Sequence, residues 1–569
     1  MGPAPRGAPA LAVVVLATLA VLFTAADTYV VVLALPDILT GVGVGLDQLQ
    51  RATPIVGGFL LGYTATLPLL GRLADLRGRV PVLAGCLLLF ALGSLLTATA
   101  VSLGPAVAGR GLQGVGAGGL VPATLALVAD RWPPDRRSLP LGVVGAVQEA
   151  GAVLGPLAGA AVLAVADWRA IFWLSLVLGL GLAVGIAAGG RLRRPDVLGL
   201  ALAAVAFLAL ALQLAAPTAL VEDVTLGLLY VPVVSAVALS TPLVLVVLVA
   251  GVALIARSLA QPIGAVLPLR GARRLAAELD VVGSVLVVVA LGTLVWAFAA
   301  ADPATEIVAH GPVLLPVALL AGGAFVLHER RTAAPVLPLR ALRPTGAWGA
   351  LVVNLLVGVA LVAALVDVPL FARNTTTPGD QFGAALVLLR LLVAVPVGAL
   401  AGGWLCRRVP PRWVAAVGMG VTALSLAAMT GWGSRSLDGA GSYAVLLVAG
   451  LGFGLVIAPV NTVLLAATRA DVHGSASALA VVARTVGMLA GLSLLTGVAL
   501  RRFTAAVAAI GSPVDLCPTT PAHCPAYDDA TTAAVLTQLH TVFGGAALAA
   551  GAAAVAAVVL LGVSRPARF

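Results

Sequence analysis

The segment GRLADLRGR, from Gly71 to Arg79, governs how the rest of the chain is read. It is a Gly-bounded turn, closed by Gly71 and Gly78, that holds one aspartate, Asp75, among Arg72, Arg77 and Arg79. It joins two apolar runs, 53–72 and 80–101. A bilayer core of about 30 Å takes roughly 20 apolar residues per helix, so dense charge between two such runs marks a turn at a membrane surface.

Runs of the same kind recur towards both ends. The first half reads 10–36, 53–72, 80–101, 104–129, 139–165 and 169–189, and the second 346–371, 382–405, 412–431, 443–467, 475–500 and 533–562. Four further spans lie between them, near 197–216, 232–256, 280–300 and 312–328. The expected fold is an all-α membrane protein: a six-helix bundle over 1–190, a linker with two transmembrane hairpins over 191–344, and a second six-helix bundle over 345–569. The central hairpins read as a duplication. Each opens on Asp-Val, at Asp196 and Asp280, and each is followed by VLPLR, at Val266 and Val336.

Composition agrees. The 569 residues are 61% hydrophobic and 10% charged, far too little charged surface for a soluble protein of this length. Sixty-five glycines suit close helix contacts in lipid. The net charge of +10 raises nucleic acid as a partner, but the charges cluster in short loops and set topology instead. All 33 basic residues are Arg. With both termini in the cytoplasm, 24 Arg fall on that side, six on the other and three inside spans, as the positive-inside rule requires. Removing a pair of spans would keep that bias, so span length alone chooses among twelve, fourteen and sixteen helices. The first run is too long for a signal peptide and leads straight into a second span, so it reads as a retained helix.

Cys86 and Cys406 fall within or beside apolar runs. Cys517 and Cys524, in CPTTPAHC, share a polar loop on the non-cytoplasmic side, where they could bridge or stay as thiols.

Charges inside spans are costly, by about 2.5–3.5 kcal/mol on insertion scales, and mark function or pairing. Asp27 lies in the first span, Arg110 in the fourth, Glu149 in the fifth, Asp367 in the seventh of the twelve and Arg484 in the eleventh. A mid-membrane carboxylate can couple proton entry to a conformational change; a static ion pair is the alternative. Arg484 is the expected counter-ion of Asp27 or Glu149. Arg390 in the eighth span could snorkel or contact a carbonyl. The fifth span carries Gly151, Gly155 and Gly159 at four-residue steps, with Pro156 to bend it.

Several of these segments resemble the major facilitator superfamily. GRLADLRGR resembles its signature loop, in which Asp75 and the neighbouring Arg72 and Arg79 would latch the two halves at the cytoplasmic face. An aspartate there can sit on the N-terminus of a facing helix, and the eleventh span, opening HGSAS at His473, offers one. AGRGLQGVGAGG resembles the fourth-helix motif whose arginine, here Arg110, is linked to proton transfer. QEAGAVLGPLAG resembles the antiporter motif of exporters. ADTYVVVLALPDI, from Ala26, resembles the first-helix motif of multidrug-type proton antiporters with extra central helices. Taken together, DTYVVV, QEAGAVLGP, LVDVPLF with Asp367 and VVARTVGMLAG with Arg484 resemble the mycobacterial triacylglyceride exporters. That resemblance implies a lipid substrate, proton coupling and a periplasmic lipid-carrying lipoprotein as partner. This chain departs from it in carrying two central hairpins and a cysteine-bearing loop at 501–532.

The expectation is a proton-coupled exporter of lipophilic molecules in the inner membrane, without cofactor or metal; a multidrug efflux antiporter is the alternative. A membrane-embedded transferase is disfavoured. His310, His328, His473, His523 and His540 are scattered without metal-ligand spacing, and no phosphate-cradling loop is present.

Overall fold

The structure is a computed structural model that describes residues 8–43, 53–189, 197–216, 218–233, 240–260, 280–299, 311–332, 335, 342, 344–376, 381–512, 516–517 and 524–562. Those residues form helices and their connections, with no strand among them. In lipid a backbone must satisfy its own N–H and C=O groups, which turns each apolar run into a helix.

The first half contains α1 (Ala8–Gly41), α2 (Thr53–Arg77), α3 (Arg79–Ala98), α4 (Leu103–Gly118), α5 (Leu120–Arg131), α6 (Ser138–Leu163) and α7 (Arg169–Gly189). The expected fourth span is thus two helices that share one crossing, Leu103–Arg131, with a break at Gly119. Pro122, which has no N–H for the Gly118 carbonyl, accounts for the break. The centre holds α8 (Val197–Ala215), α9 (Pro242–Ala260), α10 (Val281–Ala299) and α11 (Gly311–Arg331). The second half holds α12 (Thr345–Thr375), α13 (Gln381–Leu405), α14 (Pro411–Met429), α15 (Ala440–Ala467), α16 (His473–Ala508) and α17 (Pro525–Leu560).

Fourteen crossings among the described residues are long and apolar enough to span a membrane. The apolar parts of α8 and α10, Ala201–Ala215 and Val281–Ala297, are shorter. Each of these helices nevertheless has 19 residues, which reach about 28 Å at 1.5 Å per residue. The chain is a multi-pass membrane protein. Its outer surface bears large apolar side chains such as Val177 (65% exposed) and Leu320 (73% exposed), which only a hydrocarbon solvent tolerates in such number.

Each half has its own core, and the halves meet along two seams, α2 on α16 and α6 on α13. Glycine sets the second seam. A Cβ on Gly142 would lie 2.7 Å from the Ala399 carbonyl oxygen and 3.1 Å from Gly403 Cα. The central helices pair as two hairpins, α8 with α9 and α10 with α11, in different places. The first leans on the outside of one half, with Phe207, Ala211 and Leu214 against Ala91, Leu95 and Leu176. The second covers the α2–α16 seam, where Leu291 packs on the cluster formed by Leu67 of α2 with Ala478 and Val482 of α16. The segments bearing VLPLR, Asp196, His310 and His523 lie outside the described residues.

Two helices exceed what a membrane needs by the widest margin. α16 and α17 have 36 residues each, about 54 Å against a core of about 30 Å. They overshoot on the face opposite the Gly71–Arg79 turn, where a disulfide joins Cys517 to Cys524 with Cα atoms 5.6 Å apart.

Candidate functional site: buried ion pairs and an inter-half latch

The turn expected over Gly71–Arg79 is corrected: α2 continues as helix to Arg77 and only Gly78 breaks the chain, so Asp75 lies in the last turn of α2 on the Arg-rich face, where α16 presents its N-terminus. The first backbone N–H groups of a helix have no partner within it and carry positive partial charge. Asp75 fills that role from the other half: Oδ1 accepts from Gly474 N at 2.8 Å, and Oδ2 accepts from Ser475 N and Ser475 Oγ, both at 2.8 Å. Arg79 completes the arrangement. It pairs with Asp75 through Nη1, with Asp130 through Nε at 3.2 Å, and donates from Nη2 to the Ala470 carbonyl at 3.3 Å. The close approach depends on glycine, since a Cβ at Gly71 would lie 2.6 Å from the Gly474 carbonyl oxygen. Gly78 turns the chain from α2 into α3 with a φ of 92°, a region that favours glycine. Arg72 takes no part, and its Nε is buried without a hydrogen bond.

Deeper in the first half, Asp27 is 3% exposed. Its Oδ2 accepts from Arg110 Nη1 at 2.7 Å and its Oδ1 from Ser175 Oγ at 2.8 Å. Arg110 also donates to Gln113 Oε1 at 2.9 Å, and Gln113 Nε2 donates to Ser94 Oγ at 2.8 Å. Its guanidinium lies 4.5 Å from the Phe59 ring centroid, a cation–π contact. This network ties α1, α3, α4 and α7 together inside one half. The expected pairing of Asp27 with Arg484 is therefore corrected: Arg110 holds Asp27, because α1 and α4 belong to the same bundle and Arg110 meets it first.

Arg484 pairs with Glu149 instead, Nη1 to Oε1 at 2.8 Å. Glu149 is on α6 and Arg484 on α16, so this ion pair spans the two halves within the membrane. Both side chains keep some exposure, 11% for Glu149 and 22% for Arg484. Tyr29 of α1 and Tyr63 of α2 lie within electrostatic reach of Arg484. Neither tyrosine was singled out from the sequence, although Tyr29 stands inside DTYVVV.

Gly151, Gly155 and Gly159 hold α6 against α1. A Cβ at Gly151 would fall 2.6 Å from the Leu22 carbonyl oxygen, and one at Gly159 would fall 3.2 Å from Val30 Cγ2. At Gly155 it would strike the Ala26 carbonyl, one residue before Asp27. Pro156 lies on the exposed side of the same helix. Asp367 stands apart: it is 4% exposed on α12, with no hydrogen bond or ion pair to another described residue. Arg390 lies over the Tyr443 ring, 3.5 Å from its centroid. No group of three metal-binding side chains occurs among the described residues. His328 contacts Asp280 at 2.7 Å, and His540 donates to the Trp432 carbonyl at 2.7 Å.

The Major Facilitator Superfamily pattern matches residues 17–328. A triacylglyceride transporter of Mycolicibacterium hassiacum is 36% identical over 497 residues, covering 85% of this chain and 78% of the relative. A triacylglyceride transporter of Mycobacteroides abscessus is 35% identical over 499 residues, covering 85% and 82%. The human organic anion transporter MFSD10 shares the fold, with a TM-score of 0.52 at 16% identity over 96% of this chain and all of that one. The chain belongs to the major facilitator superfamily of membrane transporters.

Proposed function

We propose that the protein exports lipophilic molecules, neutral lipids of the triacylglyceride class foremost, in exchange for protons across the inner membrane. The termini and the Arg-rich face lie in the cytoplasm in this reading. The relatives' names support the lipid, and the Glu149–Arg484 pair carries the mechanism. It is a titratable bond between the halves, placed where each half must part from the other if the transporter rocks between two openings. A proton on Glu149 removes one of the two charges and frees Arg484, which weakens the joint and favours one orientation. Loss of that proton on the opposite side restores the pair. Asp27, held by Arg110 and Ser175, sits one residue from the Ala26 backbone that Gly155 contacts, so a change at Asp27 is felt at the α1–α6 joint. Asp367 is a further candidate for carrying a proton, because it is buried without a counter-ion. The latch at Asp75 holds the Arg-rich end closed while the opposite end is free to release substrate. A periplasmic lipid-carrying lipoprotein would receive it.

The test is efflux from inverted vesicles under an imposed pH gradient, with a fluorescent triacylglyceride and a cationic dye offered in parallel. Gradient-dependent movement of the lipid alone, lost in Glu149→Gln, is the expected result. Dye movement would turn the reading towards multidrug efflux, and transport indifferent to both gradient and substitution would overturn proton coupling.

A further inference from the structure

Arg137 is 3% exposed, precedes α6 directly, and forms no ion pair or side-chain hydrogen bond with any described residue. Its Nε and Nη2 are buried with unfilled donor capacity. The next side chain, Ser138 Oγ, is buried without a partner too, and so is His473 Nδ1 at the start of α16. These groups belong together. His473 feels the charge of Arg137 as well as those of Arg79 and Asp130, and Gly403 of α13 packs on the Ser138 carbonyl and Leu139 Cα. The cluster therefore lies where the first turn of α6, the end of α13 and the start of α16 converge, on the Arg-rich face at the junction of the two halves.

Its charge is unbalanced. Arg79 nearby is matched by Asp75 and Asp130, whereas Arg137 has no carboxylate. Burial pulls its guanidinium below the usual basicity with nothing to offset the effect. A buried cation without a counter-charge is costly, and the N-terminus of a 26-residue helix adds further positive potential. A tetrahedral anion supplies what is missing, since several oxygens can accept from the guanidinium, the serine hydroxyl and an imidazole N–H at once.

We infer that Arg137, Ser138 and His473 form a binding site for a phosphate group, which bridges the halves and stabilises the conformation closed at the Arg-rich end. The group is either inorganic phosphate or the phosphodiester of an anionic phospholipid headgroup. The site is separate from the central ion pairs and does not depend on what is transported.

The test reads thermal unfolding of the full chain in two arms. In detergent, sodium phosphate is titrated against sodium chloride at equal ionic strength. In nanodiscs, phosphatidylglycerol is titrated into phosphatidylcholine. A saturable rise in the unfolding midpoint is expected for wild type, and its half-saturation should weaken about tenfold or more in Arg137→Gln. Arg137→Lys should fall between the two, because it keeps the charge and loses the planar fork. Arg136→Gln, at a side chain 66% exposed, should match wild type. Ser138→Ala, expected to weaken half-saturation severalfold, serves if Arg137→Gln does not fold. A response to phosphate in detergent assigns the free anion, and a response to phosphatidylglycerol alone assigns the headgroup. No saturable response to either probe, or equal responses in wild type and both binding variants, would overturn the site.

Discussion

Replacing Asp75 by Asn tests the latch with little change in volume. In the wild type, α16 gives three hydrogen bonds to this carboxylate, two from backbone N–H groups and one from a hydroxyl, and the side chain is fully buried. Asn offers one accepting oxygen, so at least one N–H loses its partner and the remaining bonds lose charge assistance. The contact with Arg79 lies within the first half, so it is expected to survive when the halves part and to cancel from the balance. Hydrogen bonds to charged groups contribute about 1.5–3 kcal/mol each, so about 3 kcal/mol of preference for the closed Arg-rich end should disappear. That is roughly a 100-fold change in the ratio of open to closed molecules. Spin labels at Asp135 and Arg408, exposed positions on opposite halves, report the ratio as a distance distribution once Cys86 and Cys406 are replaced by Ser. A growing long-distance component is expected. A ratio that moves less than about threefold would mean that the latch does not set the conformational balance.

Glu149→Gln leaves Arg484 without its counter-charge. The pair is partly exposed, so the loss should be about 2 kcal/mol rather than the larger value of a fully buried pair. It should appear as a lower unfolding midpoint and a wider separation of α6 from α16. Asp27→Asn, at a fully buried pair, should destabilise more, by about 3–5 kcal/mol, without changing the separation of the halves, because Arg110 and Ser175 lie in the same bundle as Asp27; a change in inter-half distance would contradict that assignment. Gly155→Ala should cost about 1–3 kcal/mol, since the new methyl meets the Ala26 carbonyl. Gly181→Ala, with nothing within 4 Å, should be neutral or slightly stabilising, and the difference between the two unfolding midpoints is the measurement.

The sequence reveals helices better than it reveals their ends or their neighbours. Hydropathy reports which residues meet lipid, not where the helix stops, so α1, α16 and α17 run beyond the apolar runs that announce them. The place of Asp75 is legible because the physics is local: a carboxylate beside a Gly-marked chain reversal at Gly78, and a helix start elsewhere with unsatisfied N–H groups. The partner of Asp27 is not legible. Two mid-membrane arginines compete for it, and only the packing of α1, α4 and α7 decides for Arg110. The same limit hides Tyr63, an unmarked residue of an apolar run, and Arg137. In PPDRRS, Arg136 is exposed and Arg137 buried, although nothing in the letters separates them. Glycines at four-residue steps announce a close helix contact, but not that α1 is the partner.

The two central hairpins would behave differently under mechanical load. The α8–α9 pair is bound to the flank of one half through Phe207, Ala211 and Leu214, so it rides with that half as a passenger and stores no strain when the halves rotate. The α10–α11 pair grips both sides of a seam. Leu291 cannot stay against Leu67 on one side and Ala478 and Val482 on the other once α2 and α16 move apart. It must slip, and it should keep its hold on α2, against which α10 packs far more extensively than against α16. Each transport cycle would then include a ratchet-like release and re-engagement of one apolar tooth. Friction at that point, adjustable by the size of the residue at position 291, would limit turnover without touching any charged group.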